Sequence, residues 1–367
     1  MLIYYVLFIL AVVLGILLRK GKWAKLAYVS MMGAVLFMLS AFRVSTGYDY
    51  NLYAGWYYEY LFTSPEELMT RKVEKGFSIP MKYLSDLFYD YQVMFIVIAF
   101  VLTLLAMVYI YRYSANAWIS VTAFLGFGVF FNSLNFMRQL IAAFLVAYAL
   151  RYIETKQFGR FLVFVLFASS IHFSALLMLP FFFVLQIPMT VATLGIYSVL
   201  AGLTYWKSTD ILHLVTQYVY KGYDPTNNVE VTQGLPVGYV LIFAVLFTVA
   251  FLLRKDLKAR NPRNSILINC AFFALLFEFY GTKHTILSRF ALLFYLPPVL
   301  LLVSEIVEVA GQRLQAWLGA RRLPHRLGTL AVLCSAVILC FGFYQYFLLQ
   351  NYNGVVPYRS VFSQSDP

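Results

Sequence analysis

Long apolar segments recur along the whole chain, and they restrict its fold more than any single motif does. A helix of about 20 apolar residues crosses the hydrocarbon core of a bilayer, which is ~30 Å thick. Apolar residues make up 62% of the 367 positions, which leaves too little polar surface to keep a globular protein in solution. We therefore predict an all-α integral membrane protein that forms one multispanning domain over residues 1–367.

The predicted spans number about twelve and follow the apolar runs. Helices suit this environment because all of their backbone hydrogen bonds are internal. The polar segments between the runs show no alternation of helix and strand that would build a soluble domain. We place the spans at about residues 3–18, 26–42, 92–111, 116–131, 136–151, 160–172, 173–187, 189–206, 236–253, 264–281, 288–304 and 328–349.

Basic residues indicate which end of each span faces the cytoplasm, because Lys and Arg are retained there during insertion. The apolar stretch around His172 could form one long span or two short ones. All four basic clusters face the cytoplasm if it forms two short spans that meet near His172 at the outer membrane surface. Both chain termini are then extracytoplasmic. The net charge of +12 consequently reflects topology and does not indicate nucleic-acid binding. The clusters are Arg19–Lys25, Arg151–Arg160, Arg254–Arg263 and Arg313–Arg326, and the outer segments are residues 43–91, 205–235 and 350–367.

The cysteines and acidic residues give no sign of a metal or disulfide site. Cys270, Cys334 and Cys340 lie inside apolar runs and lack the CxxC spacing of metal ligands. No loop carries a DxD pair that would bind a divalent cation. We therefore predict metal-independent chemistry without a cofactor.

Three arginines lie next to predicted span ends in outer segments that are otherwise poor in basic residues: Arg43, Arg138 and Arg289. The planar guanidinium matches the oxygens of a carboxylate or a phosphate. Each arginine alone is equally well explained by snorkelling to lipid headgroups or by a structural ion pair. Three of them on one side favour an anion site, to which Gln139 at the start of a helix adds donors.

The first outer segment is dense in aromatic residues between Arg43 and Tyr60. Tyr and Trp rings stack on sugar rings, although they also form the interfacial belt of any membrane protein. Asp49 lies among these rings, where a partly shielded carboxylate suits a general base for a hydroxyl nucleophile. An ion pair with Arg43 or a helix cap is the alternative. The candidate glycan-binding residues are Tyr48, Tyr50, Tyr53, Trp56, Tyr57 and, near the C-terminus, Tyr358.

Two further titratable residues interrupt apolar helices and are candidates for the same proton transfer. His172 lies in a short polar stretch, and unwound backbone at membrane depth persists where it lines a cavity. A satisfied structural histidine is the alternative. Glu278 lies within or next to the membrane and should be either paired with Arg289 or functional. The choice of catalytic base among Asp49, His172 and Glu278 stays open.

Taken in order along the chain, these motifs resemble the EpsG family, which belongs with the Wzy-like bacterial polysaccharide polymerases. The resemblance implies a GT-C-type glycosyltransferase that uses lipid diphosphate-linked sugars at the outer face of the bacterial cytoplasmic membrane. It then implies that the anion bound by Arg43, Arg138, Gln139 and Arg289 is the diphosphate. It also implies membrane lipid, undecaprenyl diphosphate-linked oligosaccharide, a chain-length regulator and a flippase as partners. The motifs are Arg43 with Gly47-Tyr-Asp49-Tyr, Arg138-Gln139, Ala168-Ser-Ser-Ile-His172-Phe-Ser-Ala, Ser288-Arg289-Phe and Val356-Pro357-Tyr358.

The expected reaction joins oligosaccharide repeats into an exopolysaccharide, capsule or O-antigen chain. A flippase or transporter of the same lipids predicts charges deep in several spans and two halves with similar hydropathy. Because the charges concentrate at the outer boundary, the polymerase is favoured over a transporter. A glycan ligase or an O-acyltransferase of the same surface remains an alternative, and the sequence does not separate polymerase from ligase.

Overall fold

The computed structural model describes residues 1–71, 73–210, 237–320 and 326–363. Throughout these ranges the ordered elements are helices, and the only β pairing is an isolated bridge between Arg43 and Ser360. The prediction of an all-α protein is confirmed for this part of the chain.

The first third of the chain places a group of short helices between longer ones. It forms α1 (Leu2–Leu17), α2 (Ala24–Ala41), α3 (Tyr50–Phe62), α4 (Pro65–Thr70), α5 (Lys75–Leu87) and α6 (Gln92–Tyr113). We call α3, α4 and α5 together the cap.

The remaining described elements are interrupted more often. The middle of the chain forms α7 (Ala117–Gly126), α8 (Val129–Ser133), α9 (Met137–Glu154), α10 (Phe158–Ile171), a 3₁₀ turn (Phe173–Leu177), α11 (Met178–Val184) and α12 (Val191–Trp206). The last part forms α13 (Val237–Leu252), α14 (Arg254–Arg260), α15 (Asn264–Gly281), α16 (Thr285–Pro297), a π-helical turn (Pro298–Leu302), α17 (Val303–Ala320) and α18 (Arg326–Gln350).

Five helices in the described ranges are long and apolar enough to cross a membrane: α2, α6, α15, the continuous helix Thr285–Ala320 and α18. The number becomes six if α13 and α14, which are bent by 74°, form one broken span. The protein is thus a multispanning membrane protein, but the total of twelve spans is not confirmed. Shorter apolar helices lie at other predicted spans: Leu2–Leu17, Ala117–Gly126, Phe158–Ile171, Phe173–Val184 and Val191–Trp206.

Two of the shorter helices end for local reasons. The predicted span 116–131 is divided into α7 and α8 by Gly128, whose φ of 74° is in the left-handed region that glycine adopts readily. A side chain at this position would also collide with the ring of Phe347 and the hydroxyl of Tyr239. α10 ends at Ile171, and the extended backbone of His172 turns the chain there.

The helix Thr285–Ala320 is longer than the span predicted at 288–304. It has 36 residues, or ~54 Å at 1.5 Å per residue, and therefore projects beyond a ~30 Å hydrocarbon core. The π-helical turn follows Pro297 and begins at Pro298. Since Pro298 has no N–H to donate, the α-helical ladder is interrupted where these prolines occur.

Contacts between distant segments define one end of the molecule. The hydroxyl of Tyr4 donates to the carbonyl of Val355 at 2.9 Å, and the N–H of Val44 donates to the carbonyl of Arg359 at 2.9 Å. The N-terminal helix and the C-terminal segment therefore both reach the end of the molecule that carries the cap. The assignment of this end to the outside stays a prediction.

The opposite end gathers basic residues and their acidic partners. Lys25 donates to the carbonyl of Ser114 at 3.0 Å, and Arg260 pairs with Glu305 at 2.8 Å. Arg313 pairs with Asp256, which joins two of the predicted cytoplasmic clusters. Positive charge is thus concentrated away from the cap, as the predicted topology requires.

The cap forms because α3 carries a tyrosine stripe with helical spacing. Tyr50, Tyr53, Tyr57 and Tyr60 recur every three or four residues and are all buried. Ser64 is the residue just before α4 and starts this helix, because its Oγ accepts the N–H of Glu67 at 3.1 Å. α5 packs against both α3 and α10, so the cap is fixed over the end of α10.

Candidate active site

Glu74 lies at the start of α5, where the cap meets the end of α10. Gly76 permits this contact, because a Cβ there would collide with Ser170 Oγ and lie 2.7 Å from the Ser170 carbonyl oxygen. The close approach brings the Glu74 carboxylate to the helix break, where the N–H of Phe173 donates to Oε1 at 3.4 Å. The cap therefore contributes a carboxylate to the ends of the longer helices.

Arg138, in the first turn of α9, is the ion-pair partner of Glu74. Its NH1 lies 3.0 Å from Glu74 Oε2, and the two side chains are 18% and 20% exposed. The guanidinium lies over the rings of Trp56 at 4.7 Å and Phe77 at 5.4 Å. Its Nε has no hydrogen-bond partner among the described residues. This Nε is buried, so it is an unsatisfied donor inside the protein, whereas the side chain as a whole is 18% exposed.

His172 lies beside this ion pair. Its Nδ1 is 2.8 Å from Ser174 Oγ, and the charges of Glu74, Arg138 and Arg289 all act on the ring. Burial lowers the pKa of His172 to about 4, so the imidazole is neutral at physiological pH. The site thus has two cations, one carboxylate and one uncharged ring.

Gln139 and Arg289 connect α9 to α16. The Gln139 amide donates to the carbonyl of Arg289 at 2.5 Å. The guanidinium of Arg289 lies 5.8 Å from the centre of the Phe136 ring, on an exposed side chain. Gln139 accordingly positions the backbone that carries Arg289, whereas it was expected to offer donors to a diphosphate.

Arg43 does not join this group. Its side chain is 1% exposed, its NH2 donates to Met137 Sδ at 3.4 Å, and its guanidinium lies 5.2 Å from the ring of Phe95. Within the described ranges it contacts no carboxylate. The structure therefore brings Arg138 and Arg289 together and places Arg43 inside the protein.

Asp49 borders the site from the start of α3. Its N–H donates to Asn135 Oδ1 at 3.2 Å, but its side chain makes no cap hydrogen bond to the helix. Asp49 and Arg138 both act electrostatically on the hydroxyl of Tyr53. One tyrosine thus lies between Asp49 and the ion pair. In the described part of the chain, the groups that act electrostatically on Arg43 are tyrosines, so the alternative ion pair between Asp49 and Arg43 is not seen there.

Most of the rings assigned to glycan binding are packed inside the protein. Tyr50, Tyr53 and Tyr57 are at most 4% exposed. The ring of Tyr50 stacks on Phe95 with a centroid distance of 4.3 Å, and the Tyr57 hydroxyl donates to the carbonyl of Phe88 at 2.7 Å. These contacts give the three tyrosines a structural role in the cap.

The other predicted glycan-binding rings are more accessible. Trp56 is half-buried against Arg138. Tyr48 is 66% exposed, and its hydroxyl donates to the carbonyl of Asn351 at 3.2 Å. Tyr358 is half-buried and donates to the carbonyl of Leu39 at 3.1 Å. Of the six, Trp56 and Tyr53 interact with Arg138, Trp56 through the face of its ring and Tyr53 through its hydroxyl.

Glu278 belongs to a separate polar cluster. It is 4% exposed, and its Oε2 makes no hydrogen bond within the described residues. Asn132 Nδ2 donates to the hydroxyls of Tyr239 at 2.9 Å and Tyr295 at 2.7 Å. Glu278 acts electrostatically on both tyrosines. It therefore faces the interior beside α8, away from the ion pair of Glu74.

Glu74 is the site residue that sequence reasoning missed. It is one of several acids in the predicted outer segment 43–91, and neither charge nor spacing separates it from the others. The available signal was Gly76, because a glycine two residues after an acid, at the start of a helix, suggests a close backbone approach.

The described part of the chain contains no group of three or more His, Cys, Asp or Glu that could hold a metal ion. Metal independence itself stays a prediction.

The fold and the charged cluster define a multispanning helical membrane protein with a group of charged side chains at the ends of its helices. A model of the EpsG family matches residues 26–360, which include the cap, every residue of the cluster and most of the C-terminal segment. The protein belongs to the EpsG family. Membership indicates a role like that of a polysaccharide polymerase. Searches of curated proteins and of solved structures gave no match.

Proposed function

We propose that this protein is a polysaccharide polymerase that transfers an oligosaccharide repeat from a polyprenyl diphosphate carrier to an acceptor repeat at the outer face of the cytoplasmic membrane. The observation that carries the proposal is the convergence of Arg138 and Arg289 on His172. A diphosphate leaving group develops negative charge as the glycosidic bond breaks, and two guanidinium groups at the membrane surface stabilise that charge.

The transfer exchanges one bond for another at the anomeric carbon of the donor. The acceptor hydroxyl oxygen bonds to this carbon, the bond from the carbon to the diphosphate oxygen breaks, and the diphosphate keeps the electron pair. The hydroxyl proton passes to a base at the site. Asp49 and His172 both border the cluster, whereas Glu278 would need a relay through its own polar cluster.

The structure favours particular surfaces for the two parts of the donor. Trp56 presents a half-buried ring next to Arg138, and such a ring can stack on the sugar adjacent to the diphosphate. The polyprenyl tail would lie among the apolar helix faces that surround the site. The proposal requires no metal ion.

The test is reconstitution of the full-length protein in liposomes with the matching lipid-linked repeat, a chelator and no nucleotide sugar. The expected product is a ladder of chains, and Arg289→Ala should abolish it. Arg71→Ala is the matched control, because Arg71 lies in the cap and its side chain pairs with the exposed acids Glu59 and Glu67.

A single addition to another acceptor would indicate a ligase, and lipid movement without transfer would indicate a flippase. Absence of any product from the correct repeat would end the proposal.

A further inference from the structure

We propose that Glu74 is the proton acceptor of the transfer, and that the donor's diphosphate releases it by replacing it on Arg138. This inference rests on the proposed function. It assigns a role to the Glu74 carboxylate, which is paired with Arg138, the same cation that is proposed to bind the donor's diphosphate.

The contacts of Glu74 are suited to such an exchange. The carboxylate is held by the 3.0 Å ion pair to Arg138 and by a long 3.4 Å hydrogen bond from Phe173 N. The backbone around it is fixed separately by the packing of Gly76 on Ser170. The side chain can therefore leave Arg138 without moving the start of α5.

The position of Glu74 also suits a base. It is a carboxylate in direct contact with Arg138 and close to His172, and it is 20% exposed, so an acceptor hydroxyl can reach it. Asp49 and Arg138 both act on the hydroxyl of Tyr53, and Arg138 is influenced by Tyr53 and Glu74. The Nδ1 of His172 is already bonded to Ser174. Of these groups, Glu74 is the one in direct contact with Arg138, the cation proposed to hold the diphosphate.

The exchange links the two substrates. A diphosphate carries more negative charge than a carboxylate and matches the same planar donors, so it competes for Arg138. A carboxylate that loses a cationic neighbour and gains an anionic one binds a proton more readily. The base consequently becomes effective only when the donor is bound.

The steps balance. The acceptor proton moves to a Glu74 oxygen as the new glycosidic bond forms, and the leaving diphosphate takes the electron pair of the broken bond and stays on Arg138. After the diphosphate departs, Glu74 gives its proton to water and pairs with Arg138 again.

The experiment measures two quantities on the full-length protein in nanodiscs: the Kd for farnesyl diphosphate by calorimetry and the transfer rate by the ladder assay. Glu74→Gln removes the competing charge but keeps the shape, so we expect farnesyl diphosphate to bind about 10-fold more tightly. Loss of a general base should slow transfer by roughly 100-fold or more. Glu67→Gln, in an exposed 2.8 Å ion pair with Arg71, is the matched control and should change neither quantity.

A second variant covers the case in which Glu74→Gln is unstable. Glu74→Asp keeps the charge but shortens the reach to Arg138, so binding should tighten by about threefold and part of the transfer should remain. Thermal unfolding of each variant shows whether it is folded.

The outcomes separate the two proposals. If Glu74→Gln weakens farnesyl diphosphate binding as Arg138→Ala does, Glu74 merely orients Arg138 and the exchange is wrong. Unchanged affinity in the folded Gln and Asp variants also overturns the exchange. If the wild-type protein binds farnesyl diphosphate no better than Arg138→Ala does, the diphosphate site and with it the proposed function fail.

Discussion

Arg138 and Arg43 were predicted to bind the same diphosphate, but the structure gives them opposite surroundings. Arg138 is 18% exposed and pairs with Glu74 next to His172. Arg43 is 1% exposed and contacts a methionine sulfur and aromatic rings. The comparison teaches that a charge near a predicted span end shows only that a cation is present. Whether a ligand can reach it depends on how the connecting segments fold over it.

The surroundings of Arg43 explain how a buried cation is tolerated. Its guanidinium lies 5.9 Å from the ring of Tyr50 and 5.2 Å from that of Phe95, and both ring faces favour a cation. Burial lowers the pKa of Arg43 to about 10, which leaves it charged at neutral pH. A cavity of about 20 Å³ beside it, lined by Ser40 and Ser133 among apolar residues, is large enough for a water molecule.

The largest difference between Arg138 and Arg43 should appear when the Arg138 side chain is removed. Arg138→Ala should reduce transfer by roughly 1,000-fold, the loss typical of a group that stabilises charge in the transition state. The melting temperature should also fall, because Glu74 loses its ion-pair partner and the rings of Trp56 and Phe77 lose the cation they cover. The ladder assay and a thermal melt measure the two effects. Retention of transfer in a folded Arg138→Ala protein would remove the assignment.

The complementary change is made at Arg43. Arg43→Ala leaves a buried void and should lower the free energy of unfolding by about 2–4 kcal/mol. Arg43→Met fills the same space without a charge and should recover much of that loss. Denaturant unfolding in detergent measures both. Transfer per folded molecule should stay within about threefold of the wild type in the Met variant. A loss comparable to that of Arg138→Ala would show that Arg43 reaches the donor after all.

A smaller effect is expected where the cap is joined to α10. Gly76→Ala forces the start of α5 away from Ser170, so Glu74 should shift and transfer should fall by about 10- to 30-fold. The matched control is Gly55→Ala on α3, where a Cβ meets no atom within 4 Å. Equal transfer rates in the two variants would mean that Glu74 does not depend on this contact.

The last prediction concerns the pH dependence of stability, which should depend on His172 beside Arg138. Because the pKa of His172 is lowered to about 4 in the folded protein, the unfolded chain binds more protons between that value and about 6.5. The neutral His172 therefore contributes fully to the free energy of unfolding above pH 6.5. This contribution is lost as the pH falls toward 4, by about 1 kcal/mol per pH unit. Melts between pH 4 and 7 should show the slope, and His172→Gln should reduce it. An unchanged slope in that variant would place the titration elsewhere.

Some features of the fold could be predicted from the sequence because they depend on local patterns. Apolar runs predicted helices, and the polar stretch after α10 predicted a break at His172. The division of 116–131 could not be predicted from hydropathy, which treats the left-handed turn at Gly128 as one more apolar position. Whether the shorter helices cross the membrane depends on neighbours that no single run specifies.

The candidate site was predicted less well, for a related reason. Arg138, His172 and Arg289 stand out as charges at helix ends, and the structure brings them together. Tyr50, Tyr53 and Tyr57 were interpreted as a sugar surface because they are aromatic, although their helical spacing already indicates a buried stripe. Glu74 was missed because its importance arises from a tertiary contact between the cap and α10.

The C-terminal segment ties together two parts of the chain that are far from it in sequence. Gly354 accepts the N–H of Gly47 at 2.9 Å, and Asn353 accepts a hydrogen bond from Asn135 at 2.9 Å, across 218 positions of the chain. The residues leading to Asp49 and the turn before α9 are thus held by one and the same segment. A change that loosens this segment should therefore disturb both sides of the charged cluster at once.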